Sequence, residues 1–162
     1  MKPSPFDYRT LRFAALLAAL CLMPCLAGAQ DQLDPPVARY RLPRALTEIS
    51  GLAMNAEGRL FAHDDERGII FEVDYRSGRI LRSFSLGRRG LRGDYEGIAV
   101  VGQSIWLVTS DGTLYETAEG RDGARVNYTR HRTGVDCVVE GLAYDPSLDA
   151  LLLACKHVGR RQ

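Results

Sequence analysis

From residue 45 onward the chain alternates short apolar runs with tight polar turns. Residues 50–54, 59–63, 69–74 and 79–86 form the first group of runs. They are separated by Asn55-Ala56-Glu57-Gly58, the polar stretch 64–68, and Arg76-Ser77-Gly78. In the third run Ile70, Glu72 and Asp74 alternate with Ile69, Phe71 and Val73, the period of a strand. A second group follows at 97–101, 104–109, 113–117 and 125–132, with Gly102-Gln103 and Asp111-Gly112 at its first two turns. A third group has two runs, 141–144 and 151–155, about Pro146-Ser147. Each run predicts a strand, and each complete group a four-stranded antiparallel sheet. Between the first two groups, residues 87–94 form a Gly/Arg-rich link that reads as a solvated loop. Ahead of the first group, 30–44 is an extended arm with Pro35, Pro36 and Pro43, and 37–42 is expected as an edge strand.

One phrase opens every group: Glu48-Ile49-Ser50-Gly51-Leu52-Ala53, then Asp94-Tyr95-Glu96-Gly97-Ile98-Ala99, then Val138-Val139-Glu140-Gly141-Leu142-Ala143. Its glycines stand 46 and then 44 residues apart. A period of about 40–50 residues, each unit opening on a short apolar strand, is the spacing of β-propeller blades. The expected fold is all-β, a propeller of which about two and a half blades are present, at 45–87, 94–133 and 138–162. A propeller protects its edges by closing its ring. An open stack is therefore expected either to belong to a longer protein or to assemble with other copies, and the first reading is preferred.

Composition changes the picture at one place, the start. Residues 1–12 are mildly basic, 13–26 are apolar apart from Pro24, and Ala27-Gly28-Ala29 is a small-residue cleavage pattern. This is the layout of a secretory signal peptide spanning 1–29, which predicts export to the periplasm or outside the cell. The 14 apolar residues fall short of the ~20 that span a bilayer, so an anchor ranks behind export. A lipid attachment at Cys21 or Cys25 lacks the small residues that normally precede it. The chain carries a net charge of +1, of which the leader holds +2 and the remainder −1. No basic field is left for nucleic acid or for stable membrane association. In an oxidising compartment Cys137 and Cys155 can pair, or can remain two buried thiols. A hairpin about Pro146-Ser147 sets Cys155 opposite Glu140, so a bridge requires the chain before Glu140 to bend back.

Candidate chemistry is acidic. Glu48, Glu96 and Glu140 fall at or just before innermost strands and could converge as a ring of carboxylates, with Asp64, Asp65, Glu66, Asp94 and Asp111 on neighbouring loops. Grouped oxygen ligands of this kind suit Ca²⁺. The competing reading is structural: Glu96 and Glu140 hold the strand openings through backbone amides, and Asp64-Asp65-Glu66 is a charged turn. Lys156 and His157 could reach an anionic ligand at the mouth. Trp106 is read as a blade-core residue or an inter-blade wedge. His63, His131 and His157 have no metal-ligand spacing, and no Gly-x-Ser-x-Gly nucleophile motif occurs.

Several of these phrases resemble the SdiA-regulated domain family, exported propellers of the YjiK type. The carriers are Leu46-Thr47-Glu48-Ile49-Ser50-Gly51-Leu52, Leu60-Phe61-Ala62-His63-Asp64-Asp65-Glu66, Asp94-Tyr95-Glu96-Gly97-Ile98-Ala99, Glu140-Gly141-Leu142-Ala143-Tyr144-Asp145-Pro146 and Leu152-Leu153-Ala154-Cys155-Lys156. A group labelled for esterase-like activity of phytase shares similar strand openings. The long aspartate-rich motif of the true propeller phytases has no counterpart here. The resemblance implies a roughly six-bladed exported propeller with calcium as a ligand. Two functions follow as expectations. One is a binding or scaffold module for a small ligand or an envelope protein; the other is a calcium-assisted phosphoesterase or esterase-like hydrolase.

Overall fold

A computed structural model describes residues 35–158; the expected signal peptide lies outside them. The chain divides into two compact units, Met1–Ala38 and Arg39–Gln162, and every element below belongs to the second. A 3-10 turn at Arg44–Leu46 precedes eleven strands. The first blade is β1 (Ile49–Met54), β2 (Leu60–Asp64), β3 (Ile69–Asp74) and β4 (Arg79–Leu86). The second is β5 (Tyr95–Val101), β6 (Ser104–Thr109), β7 (Thr113–Ala118) and β9 (Tyr128–Arg132), with the short β8 (Arg125–Val126) between β7 and β9 in sequence. The third has β10 (Cys137–Asp145) and β11 (Ala150–Val158). Among the described residues no helix is long and apolar enough to cross a membrane.

Short acidic and amide side chains fix the hairpins, which is why the strands follow the sequence pattern so closely. Asn55 Oδ1 accepts from Arg59 N at 2.9 Å, and Gly58 turns at φ +75°. Asp74 accepts from Arg76 N at 3.0 Å, Asp111 from Thr113 N at 3.0 Å, and Asp145 from Ser147 N at 2.8 Å.

Inner strands β1, β5 and β10 stand side by side and share one irregularity. In each, the pairing register shifts at the residue before the repeated glycine, leaving Ser50, Glu96 and Glu140 without an opposite residue. These are β-bulges, which bend the strand and re-aim a side chain. A chain of backbone bonds links the bulged ends from blade to blade. Asp65 N donates to Glu48 O (3.0 Å) and Tyr95 N to Asp65 O (2.7 Å); likewise Ser110 N donates to Asp94 O (2.9 Å) and Val139 N to Ser110 O (2.9 Å). The repeated phrase thus ties β5 to the first blade through Tyr95 N and β10 to the second through Val139 N.

Apolar layers fill the blade interfaces. Phe61, Ile70, Phe84 and Leu86 of the first blade pack into one cluster with Tyr95, Ile98, Ile105, Leu107 and Tyr115 of the second. At the rim of this layer Glu72, only 7% exposed, receives Arg82 Nε at 2.5 Å and Arg59 Nη1 at 3.4 Å. Both arginines continue to Glu119 of the second blade, and Arg82 Nη1 also donates to Gly120 O at 2.5 Å. Two cations meeting two carboxylates leave the cluster neutral, so it closes the interface without an unpaired buried charge. Val108, Leu114 and Val139 begin the next layer, against which Trp106, Leu142, Leu151 and Leu153 pack. Trp106 is therefore an inter-blade wedge.

Three expectations are corrected. Residues 37–42 form no strand; the nearby 3-10 turn instead drives Leu46, 3% exposed, into Ala62, Phe71 and Val73 on the outer face of the first blade. The expected fourth strand at 125–132 is split. Val126 is drawn into the first interface layer, so β8 runs parallel to β4, pairing Ser85 with Arg125 and Leu86 with Val126. Only after Asn127, whose carbonyl accepts from Thr117 Oγ1 at 2.8 Å, does β9 return to β7. Finally, Cys155 lies opposite Val139 rather than Glu140, because the bulge removes Glu140 from the ladder. That slip brings Cys137 and Cys155 to a Cα separation of 5.7 Å, and they are disulfide-bonded.

Candidate functional site

The inner strands present a groove of about 620 Å³ whose lining includes Leu52, Met54, Ile98, Val100, Leu142 and Tyr144. These residues follow the repeated glycines, and Leu52 and Met54 remain more than half exposed. On the N-terminal side of the same glycines the character changes within one residue. Asp94, Glu96 and Glu140 lie there, together with Asp65, the first residue after β2. Burial pushes the Glu96 carboxyl above its ordinary pKa, and the nearby charges of Asp94, Glu140 and Asp65 push it further. Asp65 Oδ1 is buried with no hydrogen-bond partner, while Asp94 Oδ2 accepts from Ser110 Oγ at 2.5 Å. Lys156 Nζ reaches Glu140 Oε1 at 3.1 Å, a solvent-exposed pair. The result is a row of like charges only partly neutralised, beside an apolar wall.

Other anticipated acids stand apart from this row. Glu48 and Glu66 are exposed. In the repeat Glu48 matches Asp94, and the bulge position of the first blade holds Ser50. Asp64 Oδ1 accepts from the backbone of Glu66 (3.1 Å) and Arg67 (2.8 Å) and so builds its own turn. Asp111 Oδ1 is held by Thr109 Oγ1 at 2.6 Å and by Thr113 N; these bonds keep its pKa low. The side chain of His157 lies outside the described residues. Among the described residues no group of three or more His, Cys, Asp or Glu side chains is arranged to hold a metal ion. The acid row by itself therefore does not fit Ca²⁺, which takes ~6–8 oxygens.

His63 was unremarkable in the sequence and is wholly buried in the structure. Its Nδ1–H donates to Asp64 O at 3.1 Å, Nε2 has no partner, and burial lowers its pKa. A neutral ring therefore sits beneath Gly51, where an added Cβ would lie 2.6 Å from Nε2. Only the absence of that Cβ lets β1 cover the histidine.

No protein-family model matches the chain, and no curated protein matches it. Solved structures do. Virginiamycin B lyase from Staphylococcus aureus matches with a TM-score of 0.50 at 16% identity, over 71% of this chain and 37% of that one. Glutaminyl cyclase from Myxococcus xanthus gives 0.49 at 14% identity, over 67% and 50%. The PQQ-bound aldose sugar dehydrogenase from Streptomyces coelicolor gives 0.42 at 15%, over 70% and 38%. The described blades are part of a β-propeller. The chain spans half or less of the length of these three structures.

Proposed function

We propose that the chain is part of an exported propeller binding module. Its axial groove takes a ligand with an apolar body and a positively charged end. One observation carries this reading: the three inner strands present an apolar wall, and at its N-terminal end Asp94 and Glu96 at the start of β5, Glu140 of β10 and Asp65 after β2 form a row of mutually repelling carboxylates. Burial first, and repulsion from Asp94, Glu140 and Asp65 after it, raise the Glu96 pKa; a cation at the row relieves the repulsion, and the apolar body covers Leu52 and Met54. The resemblance of the repeated phrases to the SdiA-regulated domain family supports both the export and the binding role. An envelope protein presenting a lysine or arginine beside an apolar residue meets the same chemistry. Calcium, the cofactor expected from that resemblance, would need ligands beyond those the described residues bring together.

The test uses a matched pair of small probes, 2-phenylethylamine and 3-phenylpropionate, titrated by NMR into the whole chain. The amine is expected to bind at least about fivefold more tightly than the acid. The preference is expected to fall to near unity in Glu96→Gln/Glu140→Gln. Equal binding of the two probes to the unaltered chain overturns the proposal.

A further inference from the structure

The link between the first two blades contains a basic run, Arg88-Arg89-Gly90-Leu91-Arg92, and the fold holds it more firmly than an ordinary surface loop. Leu91 packs against the first interface layer. Its carbonyl accepts from Gly68 N at 2.8 Å and from the hydroxyl of the buried Tyr95 at 3.1 Å. Gly93 N donates to Glu66 O at 3.1 Å. Gly90 lies close against the chain entering β3: a Cβ there would stand 3.0 Å from Ile69 Cγ1 and 3.2 Å from Arg67 Cβ. Both blades joined by this link have all four strands.

This framework sets two like charges face to face. Arg67 and Arg92 are partners in an antiparallel bridge, and both are exposed. The flanking bonds, Gly68 N to Leu91 O and Gly93 N to Glu66 O, make them a non-hydrogen-bonded pair. In such a pair the Cα atoms stand about 4.5 Å apart and the side chains leave from the same face. Like charges directly opposite each other are destabilising. Among the described residues Arg67, Arg88, Arg89 and Arg92 take part in no ion pair, whereas Arg59 and Arg82 of the first blade are each shared between Glu72 and Glu119. The nearby acids are engaged elsewhere. Asp64 Oδ1 holds its own turn, Asp94 Oδ2 accepts from Ser110 Oγ, Asp65 belongs to the acid row, and Glu66 forms no ion pair with the arginines. Arg89 adds a backbone sign of the same kind. It stands at φ +66°, a conformation that glycine takes freely and an arginine only at a cost.

We propose that Arg67 and Arg92, with Arg88 and Arg89 beside them, bind the dianionic head of a phosphomonoester. Guanidinium forks match phosphate oxygens two at a time, and a dianion cancels the repulsion of the bridged pair. A carboxylate, with one charge, cancels half of it. The site is separate from the axial groove and does not rest on the ligand proposed there.

Glycerol phosphate and acetate are the probes, titrated into the whole chain at constant ionic strength and at a pH where the phosphate is dianionic. Binding is read from the amide NMR signals of Gly90 and Arg92. Glycerol phosphate is expected to bind at least about tenfold more tightly than acetate, the scale of one additional charged hydrogen bond. The preference is expected to vanish in Arg67→Gln/Arg92→Gln, to survive in part in Arg67→Lys/Arg92→Lys, which keeps the charges without the forks, and to be unchanged in Arg125→Gln. Without ligand, Arg67→Gln/Arg92→Gln is expected to unfold at the same or higher denaturant than the parent, because the repulsion is gone; glycerol phosphate then raises the midpoint of the parent alone. Co-sedimentation with phosphatidylcholine vesicles containing phosphatidic acid, lost in the same glutamine variant, assigns the ester to a lipid headgroup. Binding of the free ester alone assigns it to a soluble molecule. Equal affinity for glycerol phosphate and acetate, or a preference that survives in Arg67→Gln/Arg92→Gln, overturns the proposal.

Discussion

Gly97→Ala is expected to destabilise the protein by about 3 kcal/mol or more, at or above the top of the usual overpacking range. An alanine Cβ there would lie 2.5 Å from the backbone nitrogen of Leu142, 2.8 Å from its Cβ and 3.0 Å from the carbonyl carbon of Gly141. Two of these three atoms belong to the main chain of the neighbouring inner strand, so no rotamer change relieves the contact. The other copies of the same glycine give a graded control. At Gly51 the nearest atom is Nε2 of the buried His63 ring, 2.6 Å away, so a substantial loss is expected. At Gly141 the nearest is the Cβ of Ala154 at 3.4 Å, an ordinary contact, and Gly141→Ala is expected to change stability by less than about 1 kcal/mol. Denaturant unfolding followed by Trp106 fluorescence ranks the three. Equal costs at Gly97 and Gly141 would mean that close approach of the inner strands is not what the glycines serve.

Loss of the Cys137–Cys155 bond is the second large effect. The bond closes a loop of 18 residues in sequence, and on the chain-entropy model its removal costs about 3 kcal/mol. Its position raises the consequence, because it ties together β10 and β11, the two described strands of the third blade, at the end beside Glu140. The double variant Cys137→Ser/Cys155→Ser is expected to lose hydrogen-exchange protection first in β10 and β11, with the first blade following only at higher denaturant. Uniform loss of protection across all blades would contradict this local role.

Much of the architecture was readable because its determinants are local. Asn55, Asp74, Asp111 and Asp145 each hold a turn within two to four residues of themselves. The repeated phrase marked the inner strands. What the sequence concealed depends on distant partners. The slip that pairs Cys155 with Val139 is fixed by the Val139 N–H donating to Ser110 O, in another blade. The departure of Arg125 and Val126 to β4 reflects an apolar site in the first interface layer. The Arg59–Glu119 pair joins residues 60 positions apart. The acid row was half legible. Glu96 and Glu140 share a bulge position, whereas Glu48 is out of phase, and Asp64 and Asp111 spend their oxygens on their own turns.

The account turns on whether the bulged glutamates create a negative mouth on the axis. The pKa of Glu96, followed by carboxyl NMR in the whole chain, measures this directly. Because the folded-state pKa is raised, the folded protein binds the extra proton. Stability contributed by this group therefore grows as pH falls through that pKa, and above it the charged form is a cost. The account predicts a value above the ordinary glutamate range that moves back down in Glu140→Gln and in Asp94→Asn. An ordinary value, indifferent to both substitutions, would contradict it.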